Sequence, residues 1–214
     1  MFRYKDRVQA GKYLAKKLEQ YAKNPDAVVL GLPRGGVVVA YEVARELQLP
    51  LDIFLVRKLG VPGYEELAMG AIASGGVRVM NEDVLRMINI SQDKIEAAVK
   101  KEEKELERRE KAYRGDRPGI DLKSKILILI DDGLATGATM RAAVSALYKQ
   151  QPRKIVMAVP VASPETCESF KSKVDDLVCA MTPAYFHAVG EWYEYFPQNT
   201  DEEVQQLLHR AADL

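Results

Sequence analysis

The run Ile126-Leu-Ile-Leu-Ile-Asp131-Asp132-Gly-Leu-Ala135-Thr136-Gly137-Ala138-Thr139-Met140 decides the fold. Five consecutive aliphatic residues, three of them β-branched, fit a strand buried on both faces, as in the middle of a parallel sheet. Two carboxylates follow where that strand would emerge. A turn of small residues comes next, and Ala142, Ala143, Val144, Ala146 and Leu147 then recur with helical spacing.

Such a corner suits a sugar phosphate. The turn leaves the amides of about residues 136 to 139 unpaired at a helix N-terminus, where the partial positive charge favours a phosphate and Gly137 permits close approach. Thr136 and Thr139 add hydroxyl donors. Asp131 and Asp132, on the other side of the turn, are placed to accept from a diol or to face a divalent cation. An Asp-Asp pair alone would more often be a helix cap at a strand end; the complete run is far more specific.

Outward from this corner, helix and strand patterns alternate. A helical period covers residues 7 to 22 through Val8, Tyr13, Leu14, Leu18 and Tyr21, and Ala27 to Leu30 reads as the first strand. Val37 to Leu47 is a helix and Leu51 to Val56 the second strand. Residues 68 to 79, interrupted by Gly70 and Gly75-Gly76, predict a short antiparallel pair. After the central strand, a helix over 139 to 150, a strand over 154 to 161 and a last strand over 174 to 181 complete the pattern. The expected fold is α/β: a doubly wound, mostly parallel sheet of about five strands, with ligands outside the strand carboxyl ends. Residues 1–214 read as one domain.

Residues 81 to 118 stand apart as a charged helical insertion. Ser91 is a candidate N-cap, and Glu96 with Lys100, Glu105 with Arg109 and Glu107 with Lys111 are four apart. Ile95, Val99, Leu106 and Tyr113 form a thin apolar stripe that would lean on the main domain or on a second subunit, as in a homodimer. The charges read as a solvated face.

Two loops lie on the ligand side of the expected sheet. Gly31-Leu-Pro-Arg34-Gly35-Gly36 is a sharp glycine-rich turn that could be a plain connection or, with one guanidinium and exposed amides, hold a pyrophosphate. Arg57-Lys58-Leu-Gly-Val-Pro62-Gly63 places two cations at a strand end and reads as a mobile loop able to close over a polyanion. Glu65 and Glu66 follow it and are candidates for moving a proton.

In order, these pieces resemble the type I phosphoribosyltransferases: the 126–140 run is similar to their phosphoribosyl pyrophosphate signature, 31–36 to their first pyrophosphate loop, and 57–70 to the flexible loop of the adenine enzymes. The resemblance covers about residues 28 to 163, and the stretch from Pro62 to Gly70 is shorter than its counterpart. It implies transfer of a 5-phosphoribosyl group to a nucleobase-like or amine acceptor, with magnesium as cofactor and pyrophosphate released. Asp131 and Asp132 would hold the ribose diol and, through water, the metal. Ala135, Thr136, Gly137, Ala138 and Thr139 would bind the 5′-phosphate, and Arg34, Gly35, Gly36, Arg57 and Lys58 the pyrophosphate. Ala135 stands where 6-oxopurine enzymes commonly carry a base-assisting Asp, which makes hypoxanthine or guanine a less natural acceptor. A regulatory sensor of the same ligand would tolerate that change too; a hydrolase would need a water-activating base that has no candidate.

No residue names the acceptor. Pro160 to Ser163 and the aromatic run Glu191 to Phe196 could cover a base, but the aromatic run is better read as the patch that fixes the tail ahead of a Thr200/Glu203 capping box. With 31 basic and 31 acidic residues there is no global field to draw in nucleic acid or an anionic membrane. The charged start is unlike a signal peptide and no apolar run suffices to span a bilayer, so the expected location is cytoplasmic. Cys167 and Cys179 then read as buried thiols rather than a bridge or zinc ligands, and His187 and His209 are isolated.

Overall fold

The computed structural model describes residues 2–88 and 90–212. Five parallel strands form the main sheet: β1 (Ala27–Gly31), β2 (Leu51–Ile53), β6 (Ile126–Ile130), β7 (Lys154–Val161) and β8 (Asp176–Met181), in the spatial order β2-β1-β6-β7-β8. Every residue of β1 and β6 is buried, as their unbroken aliphatic character requires. Alternate residues serve opposite faces. Val29, Ile126, Ile128 and Ile130 meet α1 (Arg7–Lys17), α2 (Gly35–Leu47), α4 (Gln92–Arg114) and α7 (Asp201–Ala211). Val28, Leu30, Leu127 and Leu129 meet α5 (Ala138–Lys149) and Phe170 of α6 (Pro164–Phe170). The sheet is therefore doubly wound, as expected.

Within the first helix the buried face differs from the expected stripe. Ala10, Gly11, Leu14 and Ala15 face inward, while Val8 and Tyr13 are each 38% exposed. Close packing against α2 selects the small residues: a Cβ on Gly11 would come within 2.8 Å of the Val39 carbonyl oxygen.

The second departure lies at the expected mobile loop. Leu51 to Val56 is not one strand; the chain leaves the main sheet after Ile53, with the Leu55 amide held by Ser74 Oγ at 2.9 Å. It then builds a separate antiparallel sheet from β3 (Val56–Val61), β4 (Tyr64–Ala73) and β5 (Val77–Met80). Arg57 and Lys58 thus stand on a strand, paired with Ile72 and Ala71, and only Pro62-Gly63 forms a turn, with Gly63 at φ +86°. Gly70 pairs across to Leu59 and Met80 instead of interrupting the strand.

The insertion comprises α3 (Glu82–Met87) and α4. Val99, Leu106 and Tyr113 join the core on the α1/α2 side, so α4 leans on the body of the protein. Its charges are not simply a solvated face. Glu102 reaches Arg57, Glu96 and Glu103 reach Arg78, and Arg114 reaches Asp52 at 2.8 Å. Of the expected pairs four apart, Glu105 with Arg109 is formed, at 2.9 Å. Ser91 occupies the N-cap position without a side-chain cap bond.

Cys167 and Cys179 are joined in a disulfide, with Cα atoms 6.6 Å apart, which corrects their reading as free thiols. Eleven intervening residues are enough for α6 to fold back beside β8, and spacing alone carried no sign of that return. Thr200 and Glu203 form the expected capping box at the start of α7. No helix among the described residues is long and apolar enough to cross a membrane.

Candidate active site

Asp131 and Asp132 leave the end of β6 at the carboxyl edge of the sheet. Asp131 Oδ1 accepts the Asp132 amide at 2.9 Å, and burial together with the neighbouring Asp132 carboxylate pushes the Asp131 carboxyl well above the usual range. Asp132 is secured differently. Its Oδ2 pairs with Arg7 Nε at 2.8 Å, and its carbonyl accepts from the Tyr193 hydroxyl at 2.5 Å. Arg7, 7% exposed, also donates to the Pro197 carbonyl at 2.8 Å and lies 3.7 Å above the Phe196 ring centre. Neither Arg7 nor Tyr193 was singled out as a site residue from sequence. Arg7 is 125 positions from its partner, and no local pattern encodes that meeting. The aromatic run 191–196 does fix the tail: Trp192 and Tyr193 are buried with Tyr4 and Val161.

Across the turn, Gly137 adopts the left-handed conformation at φ +69° and α5 begins at Ala138. No acceptor among the described residues takes the amides of Ala135 to Thr139. An anion at this helix start would find them open. α6 and Arg141 of α5 buttress the turn from behind. Thr166 Oγ1 donates to the Ala135 carbonyl at 2.6 Å, Arg141 donates to the Thr136 carbonyl, and a Cβ on Gly137 would lie 2.9 Å from the Phe170 ring.

The glycine-rich turn closes on the acidic pair. The Leu32 amide donates to the Ile130 carbonyl at 2.9 Å, and the Pro33–Arg34 peptide is cis. A Cβ on Gly35 would land on Asp132 Oδ2, and one on Gly36 would stand 2.9 Å from both Asp131 Cα and the Ile130 oxygen. Glycine at both positions is what lets the start of α2 sit against the carboxylates.

Beside this junction lies a pocket of about 410 Å³, lined by Leu32, Pro33, Arg34, Phe54, Leu55, Val56, Arg57, Arg109, Tyr113, Thr139 and Asp201. It unites Arg34 and Arg57 with Thr139 of the turn that follows β6. Lys58, Glu65 and Glu66 lie elsewhere. They line an open groove of about 850 Å³ between the small sheet and α4, where Lys58 Nζ is 3.5 Å from the exposed Glu66. Arg57 borders both spaces. Arg109, Tyr113 and Asp201 were not anticipated as lining residues; on sequence they were one member of a helical ion pair, part of an apolar stripe and a helix start.

The chain matches the family model described as "Phosphoribosyl transferase domain" over residues 4–193. Two proteins of Mycobacterium tuberculosis, from strains CDC 1551 and H37Rv, are 46% identical over 97% of this chain and carry the name "Putative phosphoribosyl transferase". The chain spans about half the length of these relatives, 47%. The crystal structure of TT1426 from Thermus thermophilus is 44% identical, superposes with a TM-score of 0.86, and is matched over 98% of this chain and 99% of that one.

Proposed function

Because the chain belongs to the phosphoribosyl transferase domain family, we propose that it moves a 5-phosphoribosyl group from phosphoribosyl pyrophosphate to a nucleobase-like or amine acceptor, releasing pyrophosphate. One observation carries this reading: the open amides of Ala135 to Thr139, the acidic pair and the arginine-lined pocket adjoin one another at the end of β6. Phosphate, sugar and pyrophosphate follow one another in the substrate in the same order.

In the proposed reaction the amides and the Thr136 and Thr139 hydroxyls hold the 5′-phosphate, a part that does not react and therefore supplies orientation. Asp131 and Asp132 face the ribose hydroxyls. The Asp132 carboxylate favours the positive charge that develops on the anomeric carbon as its bond to pyrophosphate breaks, while Asp131, with its raised carboxyl, serves as a hydrogen-bond partner of the ribose hydroxyls. Arg34 and Arg57 neutralise the departing pyrophosphate, while Gly35 and Gly36 keep the backbone close to the sugar. Ala135 contributes an amide but no carboxylate for the acceptor. Glu65 and Glu66 line the outer groove, not this pocket, and the proposal assigns them no step.

Magnesium fits the donors present. Asp131 and Asp132 supply hard oxygens, and among the described residues Asp131 has no ion pair of its own, whereas Asp132 is taken up by Arg7. No cluster of three or more acidic, His or Cys residues occurs among the described residues, so ligand oxygens and water would complete the ion's shell. Bound there, it would neutralise charge on the pyrophosphate. We treat residues 1–214 as one functional unit with 81–118 as an insertion, because α4 shares the main core.

Calorimetry with phosphoribosyl pyrophosphate and magnesium tests the reading. Saturable binding is expected, weakened in the Asp131→Asn/Asp132→Asn variant while its circular dichroism is unchanged; equal affinity in that variant refutes the site. A pyrophosphate-release screen over bases and amines then identifies the acceptor, and binding without release for every acceptor refutes turnover.

A further inference from the structure

Three residues around the arginine-lined pocket come from segments outside the loops of the proposed site. Arg109 and Tyr113 are one turn apart on α4, and Asp201 opens α7. Asp201 Oδ1 accepts the Tyr113 hydroxyl at 2.8 Å and stands 3.7 Å from Arg34 Nη1. Burial and that carboxylate push the Tyr113 hydroxyl up to about 12, so it stays a donor to Asp201 at neutral pH. Arg109 shares Glu105 with Arg108, which approaches the same carboxylate at 2.8 Å, so Glu105 does not depend on Arg109 for a partner.

Accepting the phosphoribosyl pyrophosphate reading of the site, on which this step rests, we infer that Arg109 is a third guanidinium for the pyrophosphate and that Asp201, positioned by Tyr113, is the chain's own counter-ion, which pyrophosphate displaces from Arg34. Each of the three guanidiniums has a carboxylate at rest: Glu102 for Arg57, Glu105 for Arg109 and, more loosely at 3.7 Å, Asp201 for Arg34. The Arg34–Asp201 pair is nearly half-exposed on both sides and monodentate in reach, so it yields easily. Pyrophosphate offers several oxygens to forked donors and outcompetes a single carboxylate oxygen. Asp201 therefore acts as a discriminator: weakly charged anions do not repay its displacement, and a diphosphate does.

The test compares inorganic pyrophosphate, ribose 5-phosphate and phosphoribosyl pyrophosphate, each titrated with magnesium into the full chain and its variants. Arg109→Gln is expected to weaken both pyrophosphate-bearing ligands about tenfold or more, and Asp201→Asn to tighten inorganic pyrophosphate by about threefold. Ribose 5-phosphate should bind all three proteins alike, which a general loss of structure would not permit. Arg109→Lys, retaining charge without the fork, should fall between wild type and Arg109→Gln. Unchanged pyrophosphate affinity in Arg109→Gln, or weaker affinity in Asp201→Asn, overturns this inference while ribose 5-phosphate binding leaves the site reading standing. Wild type binding neither sugar phosphate overturns both.

Discussion

Replacing Arg7 with Leu should cost this protein about 3 kcal/mol of stability and expose how the acidic pair is held. The Arg7 and Asp132 side chains are 8% and 16% exposed and 2.8 Å apart. Removing one partner of a fully buried pair costs about 3–5 kcal/mol; the residual exposure here brings that to about 2–3. The stack on Phe196 at 3.7 Å adds about 0.5–1 kcal/mol. For a chain of this size the melting temperature should fall by about 6–12 °C. The discriminating assay is a double-mutant cycle by chemical denaturation. Once Asp132 is Asn, no charge is left stranded by the loss of Arg7, so Arg7→Leu/Asp132→Asn should lose about 2 kcal/mol less than the sum of the single variants. Additive losses would show that the two residues do not depend on one another and would refute the reasoning.

Glu42 supplies a pH test. Burial raises its carboxyl above the usual value despite Arg45 at 2.6 Å, so the folded state keeps the proton longer than the unfolded one. Its ionisation therefore drains stability as pH climbs from the unfolded carboxyl range through the folded value, and Glu42→Gln should gain on wild type at pH 7 and lose that advantage below about pH 4; a difference in melting temperature that does not change with pH contradicts this. The Cys167–Cys179 bridge closes a short loop, and its reduction should lower stability by about 3 kcal/mol. Thiol titration of unreduced, denatured protein should return none, and recovery of two free thiols would refute the bridge.

What was legible in the sequence was local. Ile126 to Ile130, the acidic pair and the following turn are contiguous, so one period and one turn chemistry describe them together. The small antiparallel sheet was only half visible. Arg57, Lys58, Pro62 and Gly63 have loop-like composition, and the strand identity of the first two comes from pairing with Ile72 and Ala71, which composition does not encode. The charges of α4 illustrate the same limit: Glu96 faces a lysine four residues on, yet it meets Arg78 of the small sheet. Arg7, Tyr193, Arg109 and Asp201 reach the candidate site from four separate segments, each with an ordinary local explanation of its own. The disulfide was missed because two cysteines twelve positions apart define a spacing but not the path between them.

The clasp of Arg7 by Asp132, Phe196 and the Pro197 carbonyl has a temporal consequence. On a ribosome β6 and the carboxylates that follow it emerge before the aromatic segment 191–196 does, and domains consolidate as synthesis proceeds. Until Tyr193 and Phe196 have cleared the exit tunnel, the Asp132 carbonyl lacks its Tyr193 donor and Arg7 its stacking partner. The nascent polypeptide thus forms β6 and exposes the acidic pair before the clasp around Arg7 can close, so this corner should become rigid later than the strand that leads into it.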